Sequence, residues 1–118
     1  MEFKSNTPIY LQVIDDIKSR ILAGEICPGE KLPSSRELAL QYDINPNTAA
    51  RIYTEMERMG LSYTKRGIGT FVAENPKAVD EMKEEAVEKV LGEFIQNMSN
   101  LGFDKETMIK ELTEYLSK

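Results

Sequence analysis

The sequence predicts a mainly α fold with a small β-wing: a winged helix-turn-helix followed by a two-helix dimerisation tail. Three observations carry that prediction. Two capped helix starts, Ser34-Ser35-Arg36-Glu37 and Asn45-Pro46-Asn47-Thr48, stand a short helix and a tight turn apart. A pair of short alternating segments around a glycine-rich tip, Arg66-Gly67-Ile68-Gly69, follows directly. Beyond residue 75 the chain changes character and becomes two acidic amphipathic segments.

The chain has 118 residues, enough for one compact domain or a small domain with an extension. No apolar run is long enough to cross a membrane, and Met1-Glu2-Phe3-Lys4 lacks a signal-peptide profile, so a cytoplasmic location is expected. Cys27 is the only cysteine, which rules out an intrachain disulfide. Histidine is absent, and with it the usual general base and the commonest zinc ligand. No phosphate-binding glycine loop, metal-ligand cluster or nucleophile-base pair is present. The expectation is a protein that is not an enzyme and needs no metal or cofactor.

The net charge of −5 is unevenly spread. Residues 1–73 hold nine acids and nine bases, 9 − 9 = 0, while residues 74–118 hold six bases and eleven acids, 6 − 11 = −5. Screening over about 8 Å at physiological salt means that a remote acidic tail need not cancel a local basic patch. Charge alone gives no support for nucleic acid, and that case rests on the motifs.

In chain order, Thr7-Pro8 predicts the cap of a first helix running to about Ala23, with Gly24 as its stop. Ile9, Val13, Ile17 and Ile21 form its apolar row. Pro28-Gly29 marks a turn, and Lys31-Leu32 has the makings of a very short strand. Ser34 and Glu37 have capping-box spacing, so a second helix starts there, with Leu38, Ala39 and Tyr42 facing inward. Asp43-Ile44 turns the chain into Asn45, the N-cap of a third helix with Pro46 at its first position. Asn47, Thr48 and Arg51 project polar groups from the opening turns, the chemistry that suits base edges and phosphates in a major groove. Ile52, Met56 and Met59 form the apolar stripe behind them. Leu61–Lys65 and Thr70-Phe71-Val72 read as hairpin strands after a helix-turn-helix, a wing whose Lys65 and Arg66 reach phosphate or the minor groove.

Asn75-Pro76 caps a helix over about 77–99, in which Val79, Met82, Ala86, Val87, Val90, Leu91, Phe94, Ile95 and Met98 spread over roughly half the circumference. Asp104 caps a last helix with Met108, Ile109, Leu112, Tyr115 and Leu116 on its apolar side. Two helices cannot bury this stripe alone. The expectation is a homodimer through Val79, Met82, Val87, Val90, Leu91, Phe94, Ile95, Met98, Met108, Leu112, Tyr115 and Leu116, with docking onto the chain's own winged domain as the alternative.

Thr7-Pro8-Ile9-Tyr10-Leu11-Gln12, Pro28-Gly29-Glu30-Lys31-Leu32-Pro33-Ser34, Arg36-Glu37-Leu38-Ala39 and Arg66-Gly67-Ile68-Gly69-Thr70-Phe71-Val72 together resemble the winged-helix domain of GntR-family bacterial transcription regulators. Asn45-Pro46-Asn47-Thr48, Arg51, Tyr53 and the short tail are similar to the YtrA-like subgroup in particular. The resemblance implies a DNA-binding domain over residues 7–75 and a dimerisation segment over 76–118. It implies phosphate contacts from Ser34, Ser35 and Arg36, with Arg36 reaching a base. It implies major-groove contacts from Asn45, Asn47, Thr48 and Arg51, a backbone contact from Tyr53, and wing contacts from Lys65, Arg66, Gly67 and Gly69. Many relatives carry Arg where Pro46 and Ala50 stand here, so their base specificity does not transfer. The function implied is a repressor binding a pseudo-palindromic duplex operator, with a small-molecule effector as a further partner. The alternative is a winged helix whose main partner is a protein, which a DNA shift assay distinguishes.

Overall fold

In the computed structural model, which describes residues 1–118, burial follows the sequence periodicities. Helix α1 runs Ile9–Leu22, α2 Ser35–Tyr42 and α3 Pro46–Arg58. Strands β1, Ser62–Lys65, and β2, Gly69–Val72, come next, then α4, Pro76–Asn100, and α5, Lys105–Leu116. The chain divides into two compact units, Met1–Met82 and Lys83–Lys118.

The first unit packs α1, α2 and α3 around one core. Val13, Ile14 and Ile17 of α1 meet Leu38 of α2 and Ala49, Ile52 and Met56 of α3 there, all almost wholly excluded from water. The box at Ser34 forms as expected. Ser34 Oγ accepts from Glu37 N–H and Glu37 Oε1 accepts from Ser34 N–H, both at 3.1 Å. That second bond holds the Glu37 carboxyl below the usual carboxylate range. Asp43 ends α2 in the left-handed region, φ 53°, which a short polar side chain tolerates, and the chain re-enters a helix at Asn45. The start of α1 differs from expectation. Pro8 itself is the N-cap and no side chain caps the helix. Gln12 instead folds back, its Nε2 donating to the Thr7 and Lys4 carbonyls while its Oε1 accepts from Lys4 N–H.

The wing is an antiparallel pair with Ser62 opposite Val72 and Lys65 opposite Gly69. Lys31 pairs as a bridge with Phe71, and Leu32 N–H donates to Thr70 O, so the segment before α2 lines the free edge of β2. The short strand expected at Lys31-Leu32 is thus a single bridge on the wing.

Two dimerisation candidates need correcting. Met82 is buried in the core of the first unit and Val79 packs against it. The opening turns of α4 therefore pack with the first compact unit, which extends to Met82. In the second unit, by contrast, none of the residues in α5 is buried. Val87, Val90, Leu91 and Ile95 of α4 and Leu112, Tyr115 and Leu116 of α5 are exposed, Val90 at 62% and Leu116 at 78%. A groove of about 600 Å³ opens between the two helices, lined by Leu91, Phe94, Ile95, Phe103, Met108 and Leu112 among others.

A polar contact ties α1 to α2. Tyr42 Oη donates to Asp16 Oδ2 at 2.6 Å, and Arg20 Nε donates to the same oxygen at 3.1 Å. The Tyr42 hydrogen bond holds the Asp16 carboxyl low, against the opposing effect of partial burial. Burial and the same bond push the Tyr42 hydroxyl up to about 12. A carboxyl lowered on folding stabilises the protein above its unfolded value of about 3.9 and loses that contribution as pH falls through the folded value. Tyr42→Phe should therefore melt below the wild type at neutral pH. The difference should shrink below about pH 4, read from thermal unfolding across that range; a gap independent of pH would show that Asp16 is not the partner that matters.

Candidate nucleic-acid interface

Burial of one side of α3 decides what its other side offers. With Ala49, Ile52 and Met56 inside, Asn47, Arg51, Thr54 and Arg58 recur at helical spacing on the exposed side. Asn45 is the N-cap: its Oδ1 accepts from Asn47 N–H at 2.8 Å. Its amide oxygen is therefore engaged while its NH₂ remains available to a partner. Asn47 is exposed and Thr48 is half-buried at the helix mouth, where free backbone N–H groups and the positive end of the dipole favour a phosphate.

The cations sort into paired and unpaired. Arg20 pairs with Asp16 and Glu25, and Arg58 pairs with Glu55. Arg36, Arg51, Lys65 and Arg66 take part in no ion pair. Arg36 projects from the capped start of α2, beside half-buried Ser35 and exposed Ser34. Arg51 lies over the ring of Tyr10, 4.0 Å from its centroid. On the wing, Tyr63 and Phe71 stack at 5.6 Å, and Lys65 Nζ sits 5.0 Å from the Phe71 centroid. Arg66 is exposed at the hairpin tip. The cations expected at an interface are thus all free of carboxylates, as Lys4, Lys18 and Lys31 are too.

The two wing glycines serve different ends. Gly67 has φ 79° and open space where a side chain would begin. Gly69 has φ 148°, and a Cβ there would come within 2.7 Å of Lys31 Cε. The end of Lys31 can swing aside, so the backbone conformation is what favours glycine at this position. Lys31 is accordingly an exposed wing cation that the sequence reading passed over, because the bridge that brings it to β2 is a tertiary contact.

Tyr53 is corrected. It is 7% exposed, and its hydroxyl donates to the Pro33 carbonyl. Burial raises that hydroxyl above its ordinary value, so it stays a donor. The side chain therefore works from inside: it ties α3 to the residue before the Ser34 cap and so holds the starts of α2 and α3 together. Periodicity alone offered the signal, since Tyr53 follows Ile52 on the apolar side. No group of three or more His, Cys, Asp or Glu converges to hold a metal ion, and no helix is long and apolar enough to cross a membrane.

Two capped helices at a tight turn, one with a free hydrogen-bonding side, beside a cation-bearing hairpin, define a winged helix-turn-helix DNA-binding unit. Residues 9–72 match the family model for bacterial regulatory proteins of the gntR family, and the chain belongs to that family. It is 46% identical to the uncharacterized HTH-type transcriptional regulator YhcF of Bacillus subtilis, over 97% of this chain and 94% of that one. It is 40% identical to the HTH-type transcriptional repressor YtrA of the same organism, over 93% and 88%. Among solved structures, a GntR-family transcriptional regulator from Listeria monocytogenes superposes with a TM-score of 0.85 at 34% identity, covering 95% of this chain and 98% of the other. The DNA-binding domain of AraR, solved in complex with an operator, superposes with a TM-score of 0.56 at 34% identity, over 61% and 93%. The chain is a DNA-binding transcription regulator, and its likeness to YtrA extends through the tail.

Tyr53→Phe removes one hydroxyl and leaves the Pro33 carbonyl without that donor. A loss of about 1 kcal/mol is expected, seen as a lower urea midpoint at unchanged slope. An unshifted midpoint would refute the internal role.

Proposed function

We propose that this protein is a homodimeric repressor that binds a pseudo-palindromic operator in duplex DNA. The observation that carries the reading is the row of exposed Asn47, half-buried Thr48 and exposed Arg51 at the start of α3, flanked by unpaired Arg36 and by Lys65 and Arg66 on the wing. Asn47, Thr48 and Arg51 read base edges from the major groove, with the Asn45 NH₂ beside them. Ser34, Ser35 and Arg36 hold phosphates, and Arg36 reaches a base. The wing tip, Lys65, Arg66 and the open backbone at Gly67, grips the flanking strand, and Lys31 adds charge there. The repressor name of YtrA and the operator complex of AraR support this reading.

The dimer follows from the second unit. Its exposed Val87, Val90, Leu91, Ile95, Leu112, Tyr115 and Leu116, with partly exposed Phe94, Met98 and Met108, form apolar surface that a lone chain leaves in water. A second copy supplies an identical surface, and a two-fold pair closes without leaving a free edge. Two equivalent recognition helices then require two equivalent half-sites, separated by about one helical turn or a multiple. The groove between α4 and α5 falls in the size range of small-molecule sites, about 300–1,000 Å³. The part that a partner leaves open is where a small apolar effector would act.

Selection of genomic fragments followed by footprinting tests the reading, with a protected inverted repeat as the expected result. Arg36→Ala should weaken binding to that repeat by about 1–3 kcal/mol at fixed salt. Log affinity should fall steeply with log salt, because each released counterion adds to the slope; a flat plot would contradict phosphate binding. Separately, Leu91→Glu should give a monomer by sedimentation with unchanged helical content, because Leu91 lines only the tail groove. A variant that remains dimeric would mean that the tail does not hold the pair together.

A further inference from the structure

We infer that Tyr10 is a positioning residue for DNA recognition, its ring setting the reach of Arg51. The inference rests on α3 being the DNA-reading helix. Arg51 is the one cation on the unpaired part of that surface, since Arg58 is engaged by Glu55. Its guanidinium carbon lies 4.0 Å from the centre of the Tyr10 ring. Tyr10 is half-buried and packs against the core through the first turn of α1. The ring is thus a fixed platform, whereas an unsupported arginine on a helix surface samples many rotamers. Stacking occupies the face of the guanidinium and leaves the N–H groups along its edge free for a guanine edge or a phosphate. Arg51 meets the face of the ring and not its hydroxyl, so a phenylalanine would offer the same platform.

The consequence is a division of labour between helices: α1, which offers no DNA contact in the reading above, determines how α3 reads. Operator affinity and base preference are measured for wild type, Tyr10→Phe, Tyr10→Leu, Arg51→Ala and Tyr10→Leu with Arg51→Ala, with thermal melting as a check on folding. Tyr10→Phe should stay close to wild type. Tyr10→Leu should bind about three- to thirtyfold more weakly, the size of a partly desolvated cation–π contact, and should blur the preference at the base pair that Arg51→Ala also blurs. In the Arg51→Ala background, Tyr10→Leu should add no further loss. Additive losses, or a Tyr10→Leu variant with wild-type affinity and preference, would overturn the inference. So would tighter binding by Tyr10→Leu, which would mean that the ring withholds Arg51 from DNA. Tyr10→Met replaces the leucine variant in the cycle if that variant melts early. Absence of binding by the wild type would defeat the DNA reading itself, a separate outcome.

Discussion

Everything this protein offers to a partner is oriented by the side of α3 that it hides. Ala49, Ile52 and Met56 have no exposed surface, and full burial of an isoleucine or methionine is worth about 1.5–3 kcal/mol. A single hydrogen bond contributes about 0.5–1.5 kcal/mol. Core packing therefore decides the rotation of the helix about its axis, and the polar row on the far side follows. The same core supports the start of α2 through Tyr53 and the edge of the wing through Leu32 and Val72. The start of α2, α3 and the wing rest on one apolar foundation, and the Tyr53–Pro33 bond and the Lys31–Phe71 bridge tie them directly to one another.

Charge is arranged by pairing and not by excess. The first 73 residues are neutral in sum, yet acids and bases are not matched one to one. Asp16, Glu25 and Glu55 hold Arg20 and Arg58, while Arg51 and Lys65 rest on aromatic rings. A ring supports a cation without neutralising it. The acidic excess lies in residues 74–118, where it faces water beside an apolar surface.

Much of this was legible in the chain because its punctuation is strong and local. The capping box at Ser34 and Glu37, the cap at Asn45 with Pro46, and the glycine-tipped hairpin each fix a boundary through neighbours a few residues away. What escaped depends on distant partners. Tyr53 looked like a DNA contact until Pro33 appeared within reach of its hydroxyl. Val79 and Met82 belong to the same apolar stripe as Leu91, and periodicity cannot tell which part of a continuous 25-residue helix is claimed by which unit. Lys31 and Tyr10 stand within the recognised motifs, but only the bridge to Phe71 and the contact with Arg51 show which groups they meet.

The backbone conformation at Gly69 bears on how this wing can change over generations. A Cβ at Gly69 would meet only the mobile end of Lys31, which can swing aside, but the backbone there lies at φ 148°, a conformation that favours glycine. Shortening Lys31 leaves that backbone conformation unchanged. No single change elsewhere opens the position, so a lineage can vary the tip at Arg66 and Ile68 while Gly69 stays closed to drift. Innovation in what the wing grips must therefore come through the residues around that glycine.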